Sequence, residues 1–173
     1  MREIAIDELQ VAPFSLFGKD WMALTAGNES NGYNTMTIAW GHLGSLWDRD
    51  SQSNVLPTVT CYSRPSRYTK EFLDREDLFT ISHFPKEYRK ALGYLGNHSG
   101  RDENKVEKVG LTPVFAYGTT YFAEADLVFV CRKLYSSELK EEGFVEKSLV
   151  DFNYPKKDFH TMYVGEVLKV LIR

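Results

Sequence analysis

The chain has 173 residues, 43% of them hydrophobic and 26% charged, with 21 Lys and Arg against 24 Asp and Glu for a net charge of -3. A chain of roughly this length buries about two thirds of its surface in one core, so it needs no metal or disulfide staple. The acidic balance gives no global basic field for a nucleic-acid backbone, and an aromatic share of 14% argues against disorder and for a packed core or flat-ligand surfaces.

In chain order, residues 1–7 carry acids where a signal peptide needs an unbroken apolar stretch. Residues 21–26 read as a strand stopped by Gly27-Asn28, and residues 34–40 alternate polar and apolar side chains up to Gly41. Residues 58–62 are β-branched and aromatic, and a helix begins near Ser66 to Thr69, carrying Phe72 and Leu73. The period of two returns over 78–82. Residues 85–95 predict a helix with Tyr88, Leu92 and Leu95 on one face, opened by Pro and closed before Gly96. A shorter helix follows Asp102, with Val106 and Val109 inward and Gly110 as its stop. Two long β-rich runs, 125–131 and 162–171, flank a polar stretch at 136–142 that reads as a short helix. Many strands without regular helical crossovers point to a mainly-β antiparallel barrel.

No repeat or linker divides the chain, so one domain over 1–173 is expected. The longest apolar runs, such as Leu127 to Cys131, fall far short of the ~20 residues of a membrane helix. Cys61 and Cys131 lack C-x-x-C spacing and a paired His and read as buried free thiols, consistent with a cytoplasmic location and no membrane partner.

Two segments have the chemistry of anion sites. Arg64-Pro65-Ser66-Arg67-Tyr68-Thr69-Lys70 follows a strand and enters a helix, where unpaired backbone N–H groups and the helix dipole favour negative charge. Its Arg, Lys and hydroxyl side chains suit phosphate oxygens. The same residues also suit a solvated turn in which Ser66 or Thr69 caps the helix. Ser99-Gly100-Arg101-Asp102-Glu103-Asn104-Lys105 again opens a helix, with Asp102 as a natural N-cap and Gly100 allowing close backbone approach; a polar surface loop has this composition too. On the strand at 34–40, Asn34, Thr35 and Thr37 offer donors and acceptors in apolar surroundings, as a planar heteroaromatic requires, and as a half-exposed strand also shows. His160 opens the last strand as a lone His, catalytic or structural, and His42, His83 and His98 have no metal-ligand spacing. There is no G-x-S-x-G elbow, P-loop or G-x-G-x-x-G.

Taken in order, residues 21–27, 34–41, Arg64 to Thr69, Ser99 to Asp102 with Lys105, Gly110-Leu111-Thr112-Pro113, Cys131 to Tyr135 and Asp158 to Glu166 resemble the flavin reductase-like family of FMN-binding split barrels, in its flavoredoxin-type branch. The resemblance runs from about Trp21 to Val170. It implies an antiparallel Greek-key split β-barrel with a few short peripheral helices and non-covalent FMN. It also implies a homodimer with sites near the subunit interface, and transfer of reducing equivalents from NAD(P)H to flavin or between FMN and a redox partner protein. By this similarity Asn34, Thr35, Met36 and Thr37 line the isoalloxazine ring. Arg64, Ser66, Arg67 and Thr69 hold the phosphate or ribityl chain, Ser99, Gly100, Arg101 and Lys105 close that side, and His160 lies near the flavin or nicotinamide as the candidate catalytic residue. In such a protein the cofactor supplies the redox chemistry and the chain supplies binding, orientation and electrostatics. The alternative is a non-enzymatic flavin- or haem-binding split barrel, for which His42, His83, His98 and His160 are the available axial ligands.

Overall fold

A computed structural model of the chain describes residues 1–51 and 54–173. In order come β1 (Arg2–Ile4), α1 (Pro13–Ser15) running into a π-helical turn at Leu16–Asp20, β2 (Met22–Asn28), β3 (Gly32–Ile38), β4 (Gly41–Asp48) and β5 (Val55–Ser63). Then follow α2 (Tyr68–Arg75), β6 (Leu78–His83), α3 (Arg89–Asn97), α4 (Lys105–Lys108), β7 (Pro113–Ala116), β8 (Thr119–Phe122), β9 (Leu127–Glu138), α5 (Ser148–Asn153) and β10 (Thr161–Ile172). The expected mainly-β antiparallel architecture is present.

Seven strands pair in the order β3-β2-β6-β9-β10-β5-β4, with β1 added to β10, and β7-β8 form a separate hairpin. The two ends of that path, β3 and β4, are joined only by Ala39 and Trp40. With Cα atoms 3.8 Å apart along the chain, two residues cannot cross a flat seven-strand sheet, so the sheet must curl until its edges meet. Among the described residues no ladder joins β3 to β4, which leaves a slit in the barrel wall. Gly41 starts the far edge because its Cα lies against the Phe17 ring, where a β-carbon would collide.

Both faces of the central strands are covered. Phe79, Ile81, Phe129 and Cys131 join Leu24, Met36, Ile38, Val59, Cys61 and Tyr163 in one cluster, closed by Phe72 and Leu73 of α2. The alternate residues Val128 and Val130 pack outward with Ala23, Leu92, Leu95 and Phe122 beneath α3 and the β7-β8 hairpin. Burying each of the Val, Leu, Ile, Phe and Met side chains among them contributes about 1.5–3 kcal/mol. Cys61 and Cys131 are buried free thiols, as expected, and burial pushes both thiols up. Lys133 reaches across from β9 to donate to the carbonyls of Leu73, Asp74 and Glu76, placing a cation on the end of α2 where the helix dipole favours it. Among the described residues no helix is long and apolar enough to cross a membrane.

Several boundaries differ from the sequence expectations. Residues 136–138, expected as helix, extend β9, because Ser136, Ser137 and Glu138 pair with Tyr163, Met162 and Thr161; only Glu141–Gly143 forms a 3-10 turn. The strand expected to reach Trp40 stops at Ile38, where the chain turns to the other edge. Gly96 does not end α3, which runs on to Asn97; its missing side chain instead admits Thr37, whose Cβ would stand 3.3 Å from a β-carbon at that position. Asn104, not Asp102, caps the short helix, its Oδ1 accepting from the Glu107 N–H at 3.3 Å.

Candidate functional site

The slit opens into a cavity of about 170 Å³, lined by the end of β3 and its turn (Met36 to Trp40), Tyr62 and Arg64 of the β5 end, Arg67 and His160. A second cavity of about 110 Å³ is lined by Asn34, Ser66, Tyr68, Thr69, His98, Ser99, Gly100 and Lys105 among others. Met36 and Arg67 line both, so the two adjoin. One end is flat and aromatic and the other is polar and cationic.

The cationic end is assembled from three distant pieces of chain. Asn34, almost fully buried on β3, donates from Nδ2 to Thr69 Oγ1 at 2.7 Å. Gly100 presses on the other atom of the same amide: a β-carbon there would collide with Asn34 Oδ1 and sit 3.3 Å from Tyr68 Cδ1. Arg67 reaches from the start of α2 to the Gly96 carbonyl at 2.9 Å, and among the described residues no side chain caps that helix start. Lys105 is buried, its ammonium donating to the carbonyls of Leu95 at 2.8 Å and His98 at 3.0 Å. An ammonium has three donors, and among the described residues two of them are matched to carbonyls. Burial, and then the neighbouring Arg67 charge, lower its pKa to about 8. A cationic pocket with uncapped backbone donors and hydroxyls is a receptor for a phosphate-like anion.

At the aromatic end the His160 ring packs 4.7 Å from the Trp40 ring at 44°, and its Nδ1 lies 2.9 Å from the Tyr154 hydroxyl. Burial, followed by the Arg64 charge, lowers the His160 pKa to about 4, so the imidazole is neutral at pH 7. Arg64 holds the residues between β9 and β10 to this rim. It donates to Asp158 Oδ2 at 2.7 Å and to the Asn153 carbonyl at 2.8 Å, and it lies 5.1 Å from the Tyr154 ring centre. The Arg64 guanidinium keeps the Asp158 carboxyl below its usual range. Phe144, Tyr154, Phe159 and Val150 form a small apolar cluster of their own in that excursion.

Of the residues singled out from sequence, Asn34, Met36, Thr37, Arg64, Ser66, Arg67, Thr69, Ser99, Gly100, Lys105 and His160 line one or both cavities. Thr35 does not. Its side chain is fully buried on the opposite face, where Oγ1 accepts from Thr25 Oγ1 at 2.8 Å and donates to the Leu24 carbonyl, because successive side chains of a strand alternate faces. Arg101 also stays outside: it pairs with Glu71 and lies 4.6 Å from the Tyr68 ring centre, on an open depression beside the polar cavity. Thr37 spends its hydroxyl on the Leu92 carbonyl at 2.5 Å. Trp40, Tyr62, Tyr68 and His98, none of them expected as a flavin-site residue, also line the cavities and supply flat walls. Their signal was position alone: Trp40 and Tyr68 stand within segments marked for other residues, and Tyr62 and His98 stand beside them.

No family model and no curated protein matches the sequence. Solved structures do match the fold. A flavoredoxin from Desulfovibrio vulgaris (Miyazaki F) is similar over 100% of this chain and 77% of its own, at 20% identity and a TM-score of 0.66. An FMN-binding domain of a flavin reductases-like enzyme from Shewanella baltica is similar over 98% of this chain and 75% of its own, at 15% identity and a TM-score of 0.64. The flavin reductase of the styrene monooxygenase of Pseudomonas putida S12 covers 91% and 82%, at 16% identity and a TM-score of 0.59. The chain has the fold of these flavin reductase-like split barrels.

Proposed function

We propose that this chain, built on the split-barrel fold of FMN-binding flavin reductase-like proteins, is an oxidoreductase that works through non-covalently bound FMN. The observation that carries the reading is the convergence of two sequence-distant cationic loops on one cavity that continues into an aromatic slit. The donor set suits the cofactor. Arg67, Lys105, Ser66, Ser99 and the uncapped start of α2 are partners for a phosphate monoester. Trp40, Tyr62 and the Met36-to-Ala39 backbone are walls for a flat ring with a polar rim.

When bound, FMN supplies the hydride and electron transfer chemistry. The chain's own part is to hold and orient. Met36 to Ala39, next to the unpaired edge of β3, present backbone groups to the slit, and donors fixed before reaction stabilise developing negative charge without reorganisation. His160, neutral and fixed between Trp40 and Tyr154, offers a hydrogen-bonding nitrogen and excludes water from one wall. NADH or NADPH is the proposed electron donor, with a redox partner protein as the second route, in a cytoplasmic homodimer of single-domain subunits.

The test is an absorbance spectrum of the protein as purified and after desalting with added FMN, followed by oxidation of NADH and NADPH. Retained flavin bands and FMN-dependent nicotinamide oxidation are expected. Retained flavin with slow nicotinamide turnover and fast reduction by a partner would make the chain a carrier. No flavin retention after reconstitution would end the proposal, and a Soret band would establish the haem alternative. His160→Ala is expected to keep FMN while slowing turnover; full turnover would return His160 to a structural role.

A further inference from the structure

We infer that the cavity between α3 and the π-helical turn at Leu16–Asp20 is a second binding site, separate from the slit, for a small organic anion with an apolar body, such as an aromatic or alicyclic carboxylate. The cavity measures about 360 Å³, twice the slit, and shares no lining residue with it. Its volume lies within the range of about 300–1,000 Å³ usual for small-molecule pockets.

Arg89 organises one wall of this cavity. Its Nη1 donates to the backbone carbonyls of Lys19 at 2.6 Å and Asp20 at 2.9 Å, and its guanidinium lies 3.1 Å from the centre of a Trp21 ring. Two carbonyls and a stacking face fix the plane of the guanidinium, yet no carboxylate pairs with it among the described residues. Its remaining N–H donors are therefore pre-aimed in the fork that matches a carboxylate. The local backbone is unusual in the same place. Trp21 has φ 67°, the left-handed region that bulky residues avoid, and it directly follows the π-helical turn. Together these put both carbonyls and the indole onto one arginine.

The rest of the lining sets the ligand class. Lys19 and Lys86 form no side-chain ion pair among the described residues, so with Arg89 the wall carries three cations against the single carboxylate of Asp20. Phe84, Pro85 and Leu92 supply an apolar floor. His83 at the rear is held by Asp126 at 2.6 Å. No cluster of three or more His, Cys, Asp or Glu suited to a metal occurs among the described residues, which separates this site from a cation site.

Benzoate is the probe, titrated into the isotope-labelled full chain with and without saturating FMN and followed by amide shifts. Saturable shifts at residues 19–21 and 83–92, unchanged by FMN, are expected. Arg89→Gln should weaken benzoate by about tenfold or more, and benzyl alcohol and inorganic phosphate should each bind at least about tenfold more weakly than benzoate. Shifts confined to the slit, an affinity that Arg89→Gln leaves within twofold, or phosphate binding as well as benzoate would each overturn the inference. Should Arg89→Gln fail to fold, Lys86→Gln on an exposed side chain replaces it. A loss of about threefold then supports the site, and no loss overturns it. None of these readouts needs FMN to bind, so the proposed redox function and this site can fail independently.

Discussion

Gly100 stands against the side-chain oxygen of Asn34, at a place where any β-carbon would overlap that atom. The contact joins the 99–105 loop to β3, and the same amide holds Thr69 of α2 through Nδ2. Gly100→Ala must therefore push the loop away from Asn34. We expect FMN binding at least about tenfold weaker and stability lower by about 1–3 kcal/mol, the range for overpacking, measured by flavin fluorescence titration and urea unfolding. Wild-type affinity in a folded variant would show that the loop spacing does not matter to the cofactor.

Arg67 and Lys105 contribute charge to one pocket by different means. Arg67→Ala removes an exposed guanidinium tied to one carbonyl, whereas Lys105→Met removes a buried ammonium that also holds Leu95 and His98. Each is expected to cost FMN about 1.5–3 kcal/mol of binding, or tenfold or more, and only Lys105→Met should also lower the urea midpoint. Unchanged FMN affinity in both would remove the phosphate from this pocket.

The lowered Lys105 pKa of about 8 gives the binding a pH dependence. The phosphate of FMN is already a dianion above its second pKa of about 6, so between pH 7 and 9.5 its charge is constant. The ammonium loses its proton over that window. FMN affinity should fall as pH rises, and Lys105→Met should flatten the curve. A wild-type affinity flat from pH 7 to 9.5 would contradict this.

His160 acts on stability with the opposite slope. Its folded pKa of about 4 lies below the unfolded value of about 6.5, so in that interval the unfolded chain binds the extra proton. Stability is full above about pH 6.5 and is lost as pH falls towards 4. After discount for partial exposure this amounts to about 2 kcal/mol. Urea unfolding at pH 4.5 and 7 in wild type and His160→Gln tests it: the variant should lose less stability on acidification.

Arg64 is predicted to be a structural clamp as well as a cavity wall. Arg64→Met leaves Asp158 without its partner and frees the Asn153 carbonyl. A stability loss of about 1.5–3 kcal/mol is expected, with faster tryptic cleavage at Lys147, Lys156 and Lys157. Cleavage at the wild-type rate would show that the excursion between β9 and β10 is held by its own apolar cluster.

The strands of the barrel core were legible because a buried sheet face demands alternation, as at Phe79 and Ile81 or Phe129 and Cys131. Strand ends were not. Ser136 to Glu138 have no apolar face to announce a strand, and they became one by pairing with β10. β4 carries mostly exposed residues and was invisible for the same reason. The cationic loops were visible by composition, but whether they met was not, since Arg67 and Lys105, which line one cavity, lie far apart along the chain.

The sequence by itself determined which residues carry charge, which segments alternate to face a core and that both thiols are buried, because these follow from side-chain chemistry and local backbone preference. Only the tertiary structure decided that Thr35 faces away from the cavity, that Arg101 pairs with Glu71 and that Arg64 clamps Asp158. A side chain's role depends on the partner that reaches it first, and barrel closure brings together partners that are remote along the chain.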